Sequence, residues 1–311
     1  MKLNPPIILF IYKRPEHLKI TLDSLSKCDG YENYSFFVFG DGPKNKSEIS
    51  DVLKTREVAK NFLGNNAKYF FASNNKGLAS SVIDGISKIL KKFESVIVIE
   101  DDLIFHKNFL DYITNALNYY SNNDKVSMVS GYMYNVPQFK EYQNQIFLPL
   151  ISTWGWGTWS SAWKNFDPHA EGYQVLKTDK SIRNKFDCNN SYPFSRMLGL
   201  QMNGKIDSWG IRWYWSVFKN NGITCFPPNT LVLNNGFDNT ATHGKGFLTK
   251  FNKTKFPKES DYRVLLSKQI PVIVNPKIFK IFSNAMYDLN GGFLGKIRDF
   301  IKKYSWDLLK K

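Results

Sequence analysis

Cysteine is scarce in this chain: Cys28, Cys188 and Cys225 stand apart, with no CxxC pair among 311 residues. Neither a disulfide framework nor a thiolate zinc site can be built from them, and a reducing cytoplasm is the expected compartment. The N-terminal apolar run, Ile7 to Tyr12, is only six residues long and has no small-residue cleavage site after it. It is too short to span a bilayer, so no signal peptide is read. Low-complexity tracts and solenoid-period repeats are missing, which argues against disorder and repeat arrays. No GxGxxG or GxxxxGK[ST] follows the first apolar segment, which argues against a dinucleotide fold and a P-loop NTPase. Acids are also few, 27 against 42 Lys and Arg, leaving a formal net charge of +15. That excess implies an anionic partner, whether nucleic acid, a phospholipid surface or a phosphorylated substrate.

What is present is a repeated alternation. Apolar segments at Ile7 to Tyr12, Ser35 to Phe39, Tyr69 to Ala72 and Ser95 to Ile99 are each followed by a helical pattern, and a fifth strand is expected at Val126 to Ser130. Alternating βα units predict an α/β fold: a mainly parallel, Rossmann-like sheet with helices on both faces. Ligands of such sheets bind at the carboxyl ends of the strands. Those ends read Tyr12-Lys13-Arg14-Pro15, Gly40-Asp41-Gly42-Pro43, Asn74-Asn75-Lys76-Gly77 and Glu100-Asp101-Asp102. A basic pair, an Asp in a tight turn and an acidic triplet thus occupy places where a nucleotide and a metal could sit. Three acids in a row could instead form a solvated loop or cap the next helix.

Further along, Trp154-Gly155-Trp156-Gly157-Thr158-Trp159 alternates flat aromatics with glycine. Glycine weakens a strand and often marks close approach by a ligand, and aromatic faces suit sugar rings. Core burial explains at least one of these tryptophans as well.

In the order of these motifs the chain resembles the GT-A glycosyltransferases over roughly residues 5 to 245, in particular the branch with a Glu-Asp-Asp metal motif that includes N-acetylglucosaminyltransferase I. It is also similar to bacterial sugar transferases with a Trp-Gly-Trp-Gly-Thr-Trp segment and a later Gly-Phe-Asp...Thr-His segment, here Gly236-Phe237-Asp238 and Thr242-His243. The resemblance implies a nucleotide-sugar donor and Mn²⁺ or Mg²⁺ as cofactor. It places the metal on Asp102, with His243 completing the shell, and Glu100 and Asp101 near the ribose or metal-bound water. Arg14 would face the diphosphate or ribose, Asp41 the uracil edge, Asn75 and Lys76 the nucleotide, and Trp154 and Trp156 the donor sugar.

Inverting transfer needs a base at the acceptor hydroxyl. Where the related enzymes carry Trp-Asp-Asp-Trp, this chain has Ile206-Asp207-Ser208-Trp209. Asp207 is the expected base, offset by one residue, with Asp238 in reserve; a helix N-cap ahead of Trp209 is the plainer role for Asp207.

The expected organisation is a GT-A domain over 1–250, with a nucleotide-binding half (1–130) and an acceptor half (131–250), followed by a C-terminal extension over 251–311. Within that extension Leu294, Ile297, Ile301, Tyr304 and Leu308 share a helical face flanked by lysine and arginine. This pattern suits either a helix on an anionic membrane or one docked on the protein's own core. The function expected is metal-dependent transfer from a UDP-sugar to a bacterial surface glycan or lipid-linked acceptor, at the cytoplasmic face of the membrane and without nucleic acid. A sugar nucleotidyltransferase and a nonenzymatic nucleic-acid-binding protein are the rival readings.

Overall fold

The computed structural model describes residues 4–236, 254–257 and 262–292. Four βα units come first: β1 (Ile7–Ile11), α1 (Pro15–Ser26), β2 (Phe36–Gly40), α2 (Ile49–Leu63), β3 (Ala67–Phe71), α3 (Leu78–Leu90), β4 (Ser95–Glu100) and, after the short β5 (Leu103–Phe105), α4 (Phe109–Tyr119). Then follow β6 (Val126–Ser130), β7 (Ile146–Leu148), β8 (Trp156–Trp159) and five helices: α5 (Ser160–Trp163), α6 (Val175–Thr178), α7 (Lys180–Phe186), α8 (Phe194–Met202) and α9 (Trp209–Lys219). Strands β9 (Ile223–Phe226) and β10 (Val232–Asn234) and helix α10 (Pro276–Leu289) complete the described chain.

Eight strands form one sheet in the order β3-β2-β1-β4-β8-β6-β9-β7. β1 to β4 run parallel and are mainly apolar, and every residue of the central β1 is buried, the mark of a strand covered on both faces. One cover is α1, with Leu18, Leu22 and Leu25 buried, and the other is α3, with Val82, Ile86 and Ile89 buried. The register sets Ile11 beside Gly40, Gly40 beside Phe71 and Phe10 beside Glu100, so all four strands end together at one edge.

The sequence gives no sign of β8 as a strand, yet it lies antiparallel between β4 and β6 and joins the two halves of the sheet. Its glycines answer to packing. A Cβ on Gly157 would stand 2.8 Å from Leu117 Cδ1 of α4 and 3.0 Å from the Val96 carbonyl. Trp156 is 0% exposed and stacks on Trp209 at 5.5 Å between ring centroids. It is therefore part of the core, which corrects its expected place at the donor sugar.

The described residues 262–292 pack on the cores formed by the earlier chain. Val264, Leu266 and Ile270 lie against the first-half core, and Gln145 exchanges two hydrogen bonds with the backbone of Ser267. Helix α10 buries Phe282 and Met286 in a second core built by α7, α8 and α9. The basic amphipathic pattern of residues 294–308 lies outside the described residues. No described helix is long and apolar enough to cross a membrane.

Candidate active site

The aligned strand ends bring the four expected polar segments onto one edge. After β2, Asp41 is buried and turns its carboxylate toward the β3–α3 loop. Oδ1 accepts from the Gly42 and Lys76 amides, both at 2.8 Å; Oδ2 accepts from the Gly77 amide at 2.9 Å and Asn75 Nδ2 at 3.0 Å. These four bonds use the four lone-pair positions of a carboxylate. Asp41 thus builds the loop.

The other loop residues divide. Asn75 sits at the centre, donating also to the Gly42 carbonyl at 2.8 Å and the Tyr12 hydroxyl at 3.3 Å. Lys76 contributes its amide to the Asp41 carboxylate, while its half-exposed ammonium pairs with Asp84 of α3 at 3.5 Å.

Two organisers were invisible in the sequence. Glu48 accepts from the Tyr12 hydroxyl, from Lys13 Nζ at 2.5 Å and from the Lys44 amide at 3.0 Å, fastening the end of β1 to the β2–α2 loop. The Lys13 ammonium and the Tyr12 hydroxyl hold its pKa down at about 2, while burial and Glu48 push Tyr12 up to about 12. Arg56 of α2 donates to the carbonyls of Asp41 at 3.0 Å and Ala72 at 2.6 Å and lies over the Phe71 ring. Both come from polar, lysine-rich stretches with no motif to mark them.

At the end of β4 the three acids are crowded. Burial first, then the charges of Asp102 and Asp101, push Glu100 up to about 8. Burial and Asp102 push Asp101 up to about 7, although the Tyr12 amide donates to its Oδ2 at 2.9 Å. Asp102 is also raised by burial, against the opposing pull of Arg14, whose Nη1 lies 3.2 Å from Oδ2. The chain after β10 passes over this carboxylate. Asn235 donates its amide to the Asp102 carbonyl at 2.7 Å, and a Cβ on Gly236 would stand only 2.1 Å from Asp102 Oδ2. The Gly-Phe-Asp segment thus begins at the acids, while Asp238 and His243 lie outside the described residues.

Among the described residues no three His, Cys, Asp or Glu side chains gather around one point as a metal shell. The chemistry of the donors nonetheless fits a hard divalent cation. Oxygen ligands alone are offered, and acids whose charged forms disfavour one another are stabilised by added positive charge.

Asp207 stands at the other side of a cavity of about 520 Å³ that Glu100, Ser152, Thr153 and Trp154 also line. Ser208, not Asp207, caps α9, its Oγ accepting from the Ile211 amide at 3.4 Å. Asp207 is left free of that duty and more than half exposed, with Arg212 Nη2 3.8 Å away. The backbone of Gly77, at φ +84°, faces it: a Cβ there would lie 3.5 Å from Asp207 Oδ2. Trp154 meets Tyr132 edge to face at 4.5 Å and keeps its place on the cavity wall.

A parallel half-sheet with an acid-lined carboxyl edge, joined across one antiparallel strand to a second half that closes a cavity, is the architecture of a GT-A glycosyltransferase, and the chain is a glycosyltransferase. It belongs to Glycosyl transferase family 2, which matches residues 7–186. Among solved structures it is similar to the mannosyltransferase PcManGT from Pyrobaculum calidifontis in complex with GDP-Man and Mn²⁺, at 11% identity and a TM-score of 0.38 over 70% of this chain and 69% of that one. It is also similar to TarS of S. aureus, at 15% identity and a TM-score of 0.36 over 52% of this chain and 30% of that one. No curated protein matches the chain.

Proposed function

We propose that this enzyme transfers a sugar from a nucleotide sugar, a UDP-sugar, to a hydroxyl of a surface glycan or lipid-linked acceptor, with inversion at the anomeric carbon. The observation that carries the reading is the placing of Glu100 and Asp207, 107 residues apart in sequence, on the wall of one cavity at the carboxyl edge of the sheet. Asp207 takes the acceptor proton as the hydroxyl oxygen bonds to the anomeric carbon. The bond from that carbon to the diphosphate oxygen breaks, and its electron pair leaves with the nucleoside diphosphate. Tyr12, Asn75 and the loop fastened by Asp41 shape the nucleotide's side of the edge, and Arg14 brings positive charge to it. A divalent ion, Mn²⁺ or Mg²⁺, would be held by Asp102, supplying Lewis-acid stabilisation of the departing diphosphate.

Family membership supports sugar transfer over sugar nucleotidyl transfer or nucleic-acid binding. The test is release of UDP, GDP or CMP from a panel of nucleotide sugars, followed by NMR of the product. Inverted configuration, with Asp207→Asn lowering kcat far more than donor affinity, is the expected result. Retained configuration would remove Asp207 from the role of base.

A further inference from the structure

The cavity has two kinds of wall. Glu100, Asp207 and the residues around Trp154 form the reacting side. The rest comes from the second core, with Tyr134, Tyr192, Phe194, Met197, Tyr214 and Met286 supplying it. These aromatic side chains are committed to one another: Tyr192 and Phe194 stand 4.5 Å apart between ring centroids, and Phe194 and Tyr214 stand 5.1 Å apart edge to face. The Tyr214 hydroxyl donates to the Phe186 carbonyl at 2.8 Å, and Ser208 Oγ accepts from the Ile211 amide at 3.4 Å.

From this we infer that the second-core wall binds an apolar group of the acceptor, an alkyl or isoprenoid-like chain close to the accepting hydroxyl. The inference rests on the transferase reading above and adds the substrate class. Sugar rings suit aromatic faces, but every glycan hydroxyl turned toward Met197, Met286 and the ring edges would lose its water partners, at a cost of roughly tenfold or more in affinity for each. Methylene groups against Met197, Met286 and the rings lose only water. Apart from Tyr134, the wall residues lie beyond the family match, which ends at residue 186, so most of the wall belongs to this chain's own second half. Met286 brings α10 into it, and α10 is followed in sequence by the lysine-rich residues 293–311, the stretch with the pattern of a helix on an anionic lipid surface. An acceptor anchored in lipid would present hydrocarbon to this side.

The test uses the full chain and n-alkyl β-D-glucopyranosides from methyl to octyl, below their micelle concentrations, with binding measured by calorimetry. Affinity should rise by up to about fourfold per methylene. Met197→Glu, which puts charge at a partly exposed point of the wall, should remove at least tenfold of the gain at octyl. Phe194→Ala provides a second reading should the first variant fail to fold. Leu53→Ala, on the exposed face of α2, should change nothing. Affinity that follows the number of sugar units in methyl oligosaccharides and ignores alkyl length would overturn the inference, as would a chain-length dependence that both wall variants leave intact. Titration with UDP, GDP and CMP separates the two readings. Nucleotide binding without chain-length dependence defeats only the inference about the wall. Chain-length dependence without any nucleotide binding defeats the donor reading and leaves the wall as an apolar site.

Discussion

Replacing Gly236 with alanine should disable the enzyme while sparing its fold. The added Cβ would fall 2.1 Å from Asp102 Oδ2 and 2.8 Å from both Asp102 Cγ and Arg14 Nη1. Real Cβ contacts essentially never come below 3.0 Å, so the carboxylate must retreat by about 0.9 Å. It can do so, because the three atoms nearest the added Cβ belong to side chains and not to backbone. Overpacking of this mild kind costs about 1 kcal/mol, the low end of what an inserted methylene costs in a packed core. A misplacement near 1 Å at a reacting centre costs on the order of 100-fold in rate. The variant should therefore keep its urea midpoint to within a small shift and lose about two orders of magnitude in kcat/KM for the nucleotide sugar. Steady-state kinetics beside urea melts of both proteins decide it. Full activity would mean that the position of Asp102 does not matter to turnover; a loss of several kcal/mol in stability would mean that Gly236 is there for the fold.

Asp102→Asn should lower turnover by orders of magnitude with an almost unchanged Tm, and full activity in EDTA would remove the metal from the mechanism. Asp187, buried and accepting from the amide and hydroxyl of Ser195, is pushed by burial from 3.8 up to about 6. Because the folded state holds this proton more tightly than the unfolded chain, stability contributed by the group is present below pH 4 and falls as pH rises to about 6, by about 3 kcal/mol. Urea melts of wild type and Asp187→Asn across pH 4 to 7 should show their difference moving by that amount against the wild type, and a constant difference would refute it. Deleting residues 293–311 should abolish sedimentation with anionic liposomes while donor hydrolysis continues; unfolding of the truncated protein would instead assign the segment to the core.

The first half of the sheet was open to sequence reading because its code is simple. Parallel strands buried on both faces must be apolar throughout, and the polar residues that interrupt them must then gather at one edge. The second half offered no such regularity. β7, β8 and β9 are three or four residues long, and β8 is written in tryptophan and glycine. Trp154 and Trp156 are chemically alike and two residues apart, yet one lines a cavity and the other is sealed by Trp209 and Trp163; the packing of α5 and α9 makes that difference. The same holds for Asp207 and Ser208, where the serine's shorter side chain takes the cap and leaves the carboxylate to the cavity. Asp41 was legible as a turn residue and as a ligand-facing acid, and the four donors around it bear out its place in the turn.

The position of β9 in the sheet sets a limit on how this protein can be cut. The family match ends at residue 186, but β9, at Ile223–Phe226, lies between β6 and β7 and is the neighbour of both. A fragment ending at 186 would leave β6 with an open edge and β7 with no strand to pair with in the sheet. Unpaired edges of that kind recruit other chains. Expression of the matched segment alone should therefore yield aggregate, and a minimal soluble unit must run at least past β9.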